Sequence, residues 1–137
     1  MKIGLVGCIV TCCCAASPAF AQAAGTTVAL NETTSVVTAS LKSGLLGALP
    51  ASIAAGKSAS IASNSCARQG SSGSVKYVNS AGKGCQFNEV AQIGGCGGVP
   101  DIAYIEAKAT SVNGGTCTVA VNTQSGGQTT GYKLIIQ

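Results

Sequence analysis

The residues with the most chemistry in this chain are four cysteines: Cys66, Cys85, Cys96 and Cys117. No two stand close enough for the Cys-x-x-Cys pair of a zinc ribbon or a thioredoxin-like redox centre. Histidine is absent, which removes the usual triad base, the commonest metal ligand and the physiological proton shuttle. Of the four acids, Glu89, Asp101 and Glu106 are the candidates for carboxylate catalysis or cation binding. They show no loop of alternating oxygen ligands, and Glu106 can pair with Lys108 two residues along a strand, a surface contact that stabilises little. The expectation is a chain without catalytic residues, metal or cofactor.

The cysteines then read as a framework of two structural disulfides. Four cysteines allow three pairings. Proximity in sequence favours Cys66–Cys85 with Cys96–Cys117: Cys66 ends one strand, Cys85 begins another nearby, and the glycine-rich bend around Cys96 could swing it onto the strand bearing Cys117. That bend, Gly94-Gly95-Cys96-Gly97-Gly98, lacks the Lys-Ser/Thr ending of a phosphate loop and the spacing of a dinucleotide fingerprint. It reads as a structural turn.

Disulfides imply export, and the N-terminus agrees. Lys2 precedes an apolar run over 3–16, and Ala19-Phe20-Ala21 offers a small-x-small cleavage site. Residues 1–21 therefore read as a bacterial-type signal peptide, and 22–137 as one secreted or periplasmic domain. The apolar run falls short of the ~20 residues a membrane helix needs. Leu5-Val6-Gly7-Cys8 resembles the lipobox of bacterial lipoproteins but lies too early in the run. Cys12, Cys13 and Cys14 read as small apolar filler in the signal core. Of eight Lys and Arg, Lys2 lies in the leader, leaving seven against four acids and a balance of +3 without a cluster. With one Arg and no Trp, nothing forms the basic stripe or stacking platform of a nucleic-acid binder. Sparse charge also leaves little repulsion to oppose self-association.

The elements positioning these residues read as strands. Residues 28–30 read as a first short strand and 33–41 as a second, with Ser35, Val37, Ala39 and Leu41 on one face, 22–27 being a loose leader. Asn31-Glu32-Thr33 is an N-glycosylation sequon. Leu41, Leu45 and Leu49, with Leu46 beside them, recur like one face of a short helix, which Gly44 and Gly47 weaken and Pro50 stops. This segment is either an apolar loop seeking a membrane or partner, or a crossover that caps the core. Alternation returns at 57–64. Residues 74–90 read as a β-hairpin, 101–110 as the longest strand, and Asn113-Gly114-Gly115 as a hairpin turn to 116–123. Residues 131–137 suggest a C-terminus paired into a sheet. The sum is an all-β fold: a small antiparallel β-sandwich or barrel of about eight short strands. Rich in Ala, Ser, Gly and Thr, its core is thin, and each disulfide would offset that by roughly 2–4 kcal/mol.

Tyr77, Tyr104 and Tyr132 fall on alternating segments and, with Leu45 and Leu46, are candidate contacts for a glycan or lipid surface. The stretch from Leu49-Pro50-Ala51 to Ile61, followed by Gly73-Ser74-Val75-Lys76-Tyr77, resembles a phrase of small membrane-active β-sandwich proteins, the aegerolysin and actinoporin-like groups. The resemblance implies lipid contact, but the tryptophans typical of those groups are missing, and the chain is assigned to neither. The reading from sequence is an exported, non-enzymatic binding or surface-associated protein whose ligand is an unnamed surface, lipid or glycan. A membrane-active or toxin-like protein and a subunit that self-associates through strand edges are the alternatives.

Overall fold

The computed structural model describes residues 24–64, 72–94, 102–125 and 128–137. Residues 1–21, the expected signal peptide, with Cys8 and Cys12 to Cys14, lie outside them, as do Cys66, Cys96 and Asp101. Among the described residues nine strands follow in chain order: β1 (Ala24–Asn31), β2 (Val37–Gly44), β3 (Ser52–Ile53), β4 (Ser58–Asn64), β5 (Ser72–Val78), β6 (Gly84–Gly94), β7 (Ile102–Val112), β8 (Cys117–Ser125) and β9 (Gln128–Ile136). They form a four-stranded sheet, β4-β1-β9-β8, and a five-stranded sheet, β3-β2-β5-β6-β7. The expected all-β sandwich is present. One pair departs from antiparallel: β1 runs parallel to β9, with Val28 opposite Lys133 and Asn31 opposite Ile136.

The strands arise from period-two alternation. On β5 every second residue, Gly73, Val75 and Tyr77, is buried; on β6 Cys85, Phe87 and Glu89 are. Both inner faces meet one core. Ala29, Leu134 and Ile136 come from the four-stranded sheet, and Val37, Ile53, Val75, Tyr77, Cys85 and Phe87 from the other. Leu46 and Leu49 complete it from the segment between β2 and β3. The short helix expected there is one 3₁₀ turn, Leu45–Ala48, so the segment is the core-capping crossover. Close contact sets its place: a Cβ on Gly73 would lie 2.5 Å from the Leu45 nitrogen.

Several boundaries differ from the sequence reading. Residues 24–27, expected as loose leader, belong to β1, and 33–35 form a bend instead of strand. Leu41, placed by alternation on the face of Val37, is 43% exposed. The ladder between β2 and β5 slips between Ala39 and Leu41, and an extra residue reverses the sides that later residues face. The hairpin over 74–90 is present, Val78 opposite Gly84. The second expected hairpin is not. Asn113 and Gly114 adopt positive φ, 48° and 76°, but β7 pairs with β6 and β8 pairs with β9. The turn carries the chain from one sheet to the other. The last strand is paired on both sides, by β1 and β8.

Tyr77 shows how the core treats polar groups. It is fully buried, and its hydroxyl donates to the Pro50 carbonyl oxygen at 2.6 Å. Burial pushes its phenol up from 10.0 to about 12. A folded value above the unfolded one means stability that is complete below the unfolded pKa and is lost as pH rises from there toward about 12. An ultraviolet absorbance titration of the folded protein should show one phenol ionising near 12, and this late phase should vanish in Tyr77→Phe.

Candidate functional site

The disulfide framework can now be placed. Cys85, the second residue of β6, is joined to Cys117, the first of β8, with Cα atoms 5.8 Å apart. This overturns the preferred pairings Cys66–Cys85 and Cys96–Cys117. Those joined sequence neighbours, whereas the turn after β7 moves the chain to the opposite sheet and sets Cys117 across the core from Cys85. Backbones close tightly there: a Cβ on Gly115 would lie 2.1 Å from the Gly84 carbonyl oxygen.

Strand directions define two ends of the sandwich. β6 and β8 start at the disulfide end, as the bridge requires. β9 and β1 finish there, since β9 is antiparallel to β8 and parallel to β1. β4, antiparallel to β1, runs away from it. Asn64 and Gly94, the last residues of β4 and β6, therefore both lie toward the opposite end.

At the disulfide end a polar cleft of about 260 Å³ opens between three segments. The bend after β1 supplies Glu32, Thr33, Thr34 and Ser35; the β5–β6 turn supplies Asn79, Lys83 and Gly84; the end of β9 supplies Ile136 and Gln137. Two asparagines shape it. Asn31 is fully buried. Its Oδ1 accepts from the Thr33 amide at 3.0 Å and the Thr33 hydroxyl at 2.7 Å, while its Nδ2 donates to the carbonyls of Ser35 at 2.8 Å and Ile53 at 2.9 Å. Such a side chain bonding its own downstream backbone fixes a bend. Asn79 does the same in the other turn, where Oδ1 accepts from the amides of Ala81 at 3.0 Å and Lys83 at 3.1 Å. Gln137 Nε2 donates to Glu32 Oε2 at 2.8 Å across the mouth.

With the loops held, several groups keep unused hydrogen-bonding capacity. The Thr34 and Ser35 hydroxyls, Asn79 Nδ2 and Lys83 Nζ have no hydrogen-bond partner among the described residues. The cleft thus offers donors beside one carboxylate, Glu32, with Ile136 the one large apolar side chain in its lining. The network also disposes of the sequon: the Asn31 nitrogen that would carry a glycan is buried and donates twice.

The residues singled out from sequence are scattered. Tyr77 and Leu46 are fully buried and serve the core, which takes them away from any surface contact in this fold. Leu45 and Tyr132 are half-buried, and Tyr104 lies on β7 opposite Gln92. No tyrosine platform is formed by Tyr77 with the others. Glu89 is buried and accepts from the Thr27 hydroxyl at 2.8 Å, linking the two sheets. Glu106 stands opposite Val90, the next residue along β6, and is exposed, so the two carboxylates occupy opposite faces of one sheet. Among the described residues no group of three or more Cys, Asp or Glu could hold a metal ion. Nor is any described helix long and apolar enough to cross a membrane. The cleft went unseen in the sequence; its signal was the hydroxyl cluster Thr33-Thr34-Ser35 beside a sequon, read there as strand.

No protein-family profile matches the chain. No curated protein and no solved structure matches it either.

The disulfide assignment is directly testable. Its 32-residue separation predicts that Cys85→Ala with Cys117→Ala lowers stability in a urea titration by about 3–4 kcal/mol. A peptide map of the unreduced protein should recover Cys85 linked to Cys117. A Cys66–Cys85 or Cys96–Cys117 peptide would contradict the assignment.

Proposed function

We propose that this chain is an exported, non-enzymatic binding protein that holds a small hydroxyl-rich ligand, such as a sugar residue at the end of a glycan, in the cleft at its disulfide end. One observation carries the reading. Two buried or backbone-bonded asparagines hold the rims in place while Thr34, Ser35, Asn79 Nδ2 and Lys83 are left with unused hydrogen-bonding capacity. A polyhydroxylated ligand both donates and accepts at neighbouring atoms. Hydroxyls match either role, Lys83 and Asn79 Nδ2 donate, and Glu32 accepts. Loops fixed before binding lose little entropy on binding, which favours affinity from few contacts.

Export is supported by the leader-like pattern of 1–21 and by a disulfide of the kind that persists in oxidising compartments. The separation of Glu89 and Glu106 onto opposite faces supports the non-enzymatic part, since hydrolysis of a glycosidic bond ordinarily needs two carboxylates facing one another across the substrate. The membrane-active alternative is left with a thin surface. Of its apolar segment, Leu46 and Leu49 are buried, Leu45 is half-buried and Leu41 is exposed.

A titration of the oxidised mature protein with neutral mono- and disaccharides, followed by amide chemical shifts, tests this. Shifts should concentrate at 32–35 and 79–84. Lys83→Ala and Ser35→Ala should each weaken binding about fivefold, the worth of one hydrogen bond of roughly 1 kcal/mol. Shifts spread evenly over the surface, or unmoved by both substitutions, would remove the cleft from the function.

A further inference from the structure

The four sheet edges are not alike. β2 slips register between Ala39 and Leu41, carries Lys42, and takes β3 along its first residues. β7 carries the exposed Glu106 and Lys108. β8 breaks its register twice, between Val121 and Thr123 and between Thr123 and Gln124. Bulges and charges of this kind blunt an edge against pairing with another chain.

β4 has none of these devices. Its sequence, SASIASN, contains no charge, no proline and no glycine. Its ladder with β1 runs without a break from Leu30 opposite Ser58 to Ala24 opposite Asn64. It is the outermost strand of the four-stranded sheet, and among the described residues no strand pairs with its outer side. Half of its main-chain amides and carbonyls therefore point away from β1, in the regular spacing of a strand.

We infer that β4 is the pairing edge for a second copy of this chain, joined antiparallel about a two-fold axis so that two four-stranded sheets become one continuous sheet. Charge selects the occupant. With the axis at Ile61, Ser58 stands opposite Asn64, Ala59 opposite Ser63, and Ser60 opposite Ala62, and every pair is neutral. The nearest charged residue in the chain before the strand is Lys57. The two copies of Lys57 would sit about 27 Å apart along the ribbon, at ~3.4 Å per residue, well beyond the ~8 Å over which salt leaves exposed charges interacting. A foreign strand chosen by acidic or basic side chains would find no counter-charge on this edge. A two-fold contact needs only self-complementarity, which a neutral strand with unbroken register provides. This inference stands apart from the cleft, since it uses none of the cleft's residues.

Sedimentation velocity of the oxidised mature protein from about 1 µM to about 1 mM should show a reversible shift from one to two chains. Amide hydrogen exchange at 58–64 should slow as the dimer fills. Ser60 is exposed on the outer face. Ser60→Lys would place two lysines diagonally across the joint, about 7–8 Å apart, and should weaken dimerisation about tenfold or more. Ser60→Glu alone should do the same, and a mixture of the two variants should restore a dimer. That rescue separates a joint at β4 from mere misfolding of either variant. A single chain at every concentration, or a dimer indifferent to both substitutions, would overturn the inference. Saccharide binding that survives Ser60→Lys would leave the cleft reading untouched by either result.

Discussion

The join between the sheets at Cys85 and Cys117 is the constraint on which the rest of the fold leans. The core it fastens is built from few large side chains, Tyr77 and Phe87 among them, and is filled out by residues as small as Ala29. Such a core gives limited burial energy to set against chain entropy. A covalent link between β6 and β8 restricts the unfolded chain from Cys85 to Cys117, which takes in nearly all of β6 and the whole of β7. It also fixes which inner faces meet, because β6 belongs to one sheet and β8 to the other. The glycines beside it have a steric role: neither Gly84 nor Gly115 has room for a Cβ, since one would meet the Tyr77 carbonyl at 2.0 Å and the other the Gly84 carbonyl at 2.1 Å.

Inside this frame, buried polar groups are answered by partners. Thr27 reaches from β1 to Glu89 on β6, Tyr77 reaches Pro50, and Asn31 uses both ends of its amide. Buried polar groups without partners cost about 1–3 kcal/mol each, so these bonds are requirements of the packing. They also specify it. An apolar core of small residues could slide with little penalty, but Thr27 with Glu89 and Asn31 with Ile53 each tie one sheet to the other at a single register. Two of these links are made by residues next to the disulfide end or on the strand that carries Cys85, which spreads the effect of the cross-link along the interface.

Much of this was legible in the residues. Alternation at 74–90 and 131–137 gave the hairpin and the paired C-terminus, and the succession of short alternating segments between turn signals gave an all-β class. What failed, failed for nonlocal reasons. The Asn113-Gly114 turn has hairpin chemistry, and the chain does turn there, yet nothing local states which sheet receives the next strand. The cysteine pairing went wrong with it, because the partner of Cys85 depends on where β8 goes. Leu41 was misplaced by one inserted residue, which periodicity cannot see. Tyr77 and Leu46 looked like contact residues because a strand tyrosine and an apolar loop carry no mark of which side is covered. The cleft was missed because its three segments, around 32–35, 79–84 and 136–137, are brought together only by the sheet order.

Hydrogen-bonding capacity offers one scale on which the two proposed surfaces can be compared with the rest of the molecule. In the core it is used up, at real cost if it were not. On ordinary surface water satisfies it, and charge keeps neighbours away. Two regions differ. At the disulfide end the rims are already held by Asn31 and Asn79, so the remaining side-chain donors face a concave space without having to order themselves. Along β4 the main chain is already extended by its ladder with β1, so a second strand would meet ordered donors and acceptors and lose only its own freedom. Both regions have had much of their entropy cost met by folding, the condition under which a few weak bonds would suffice for the proposed associations. A chain with so little charge has few other means of choosing a partner, and as proposed the two surfaces would select differently: one by the pattern of hydroxyls it could match, the other by its identity with itself.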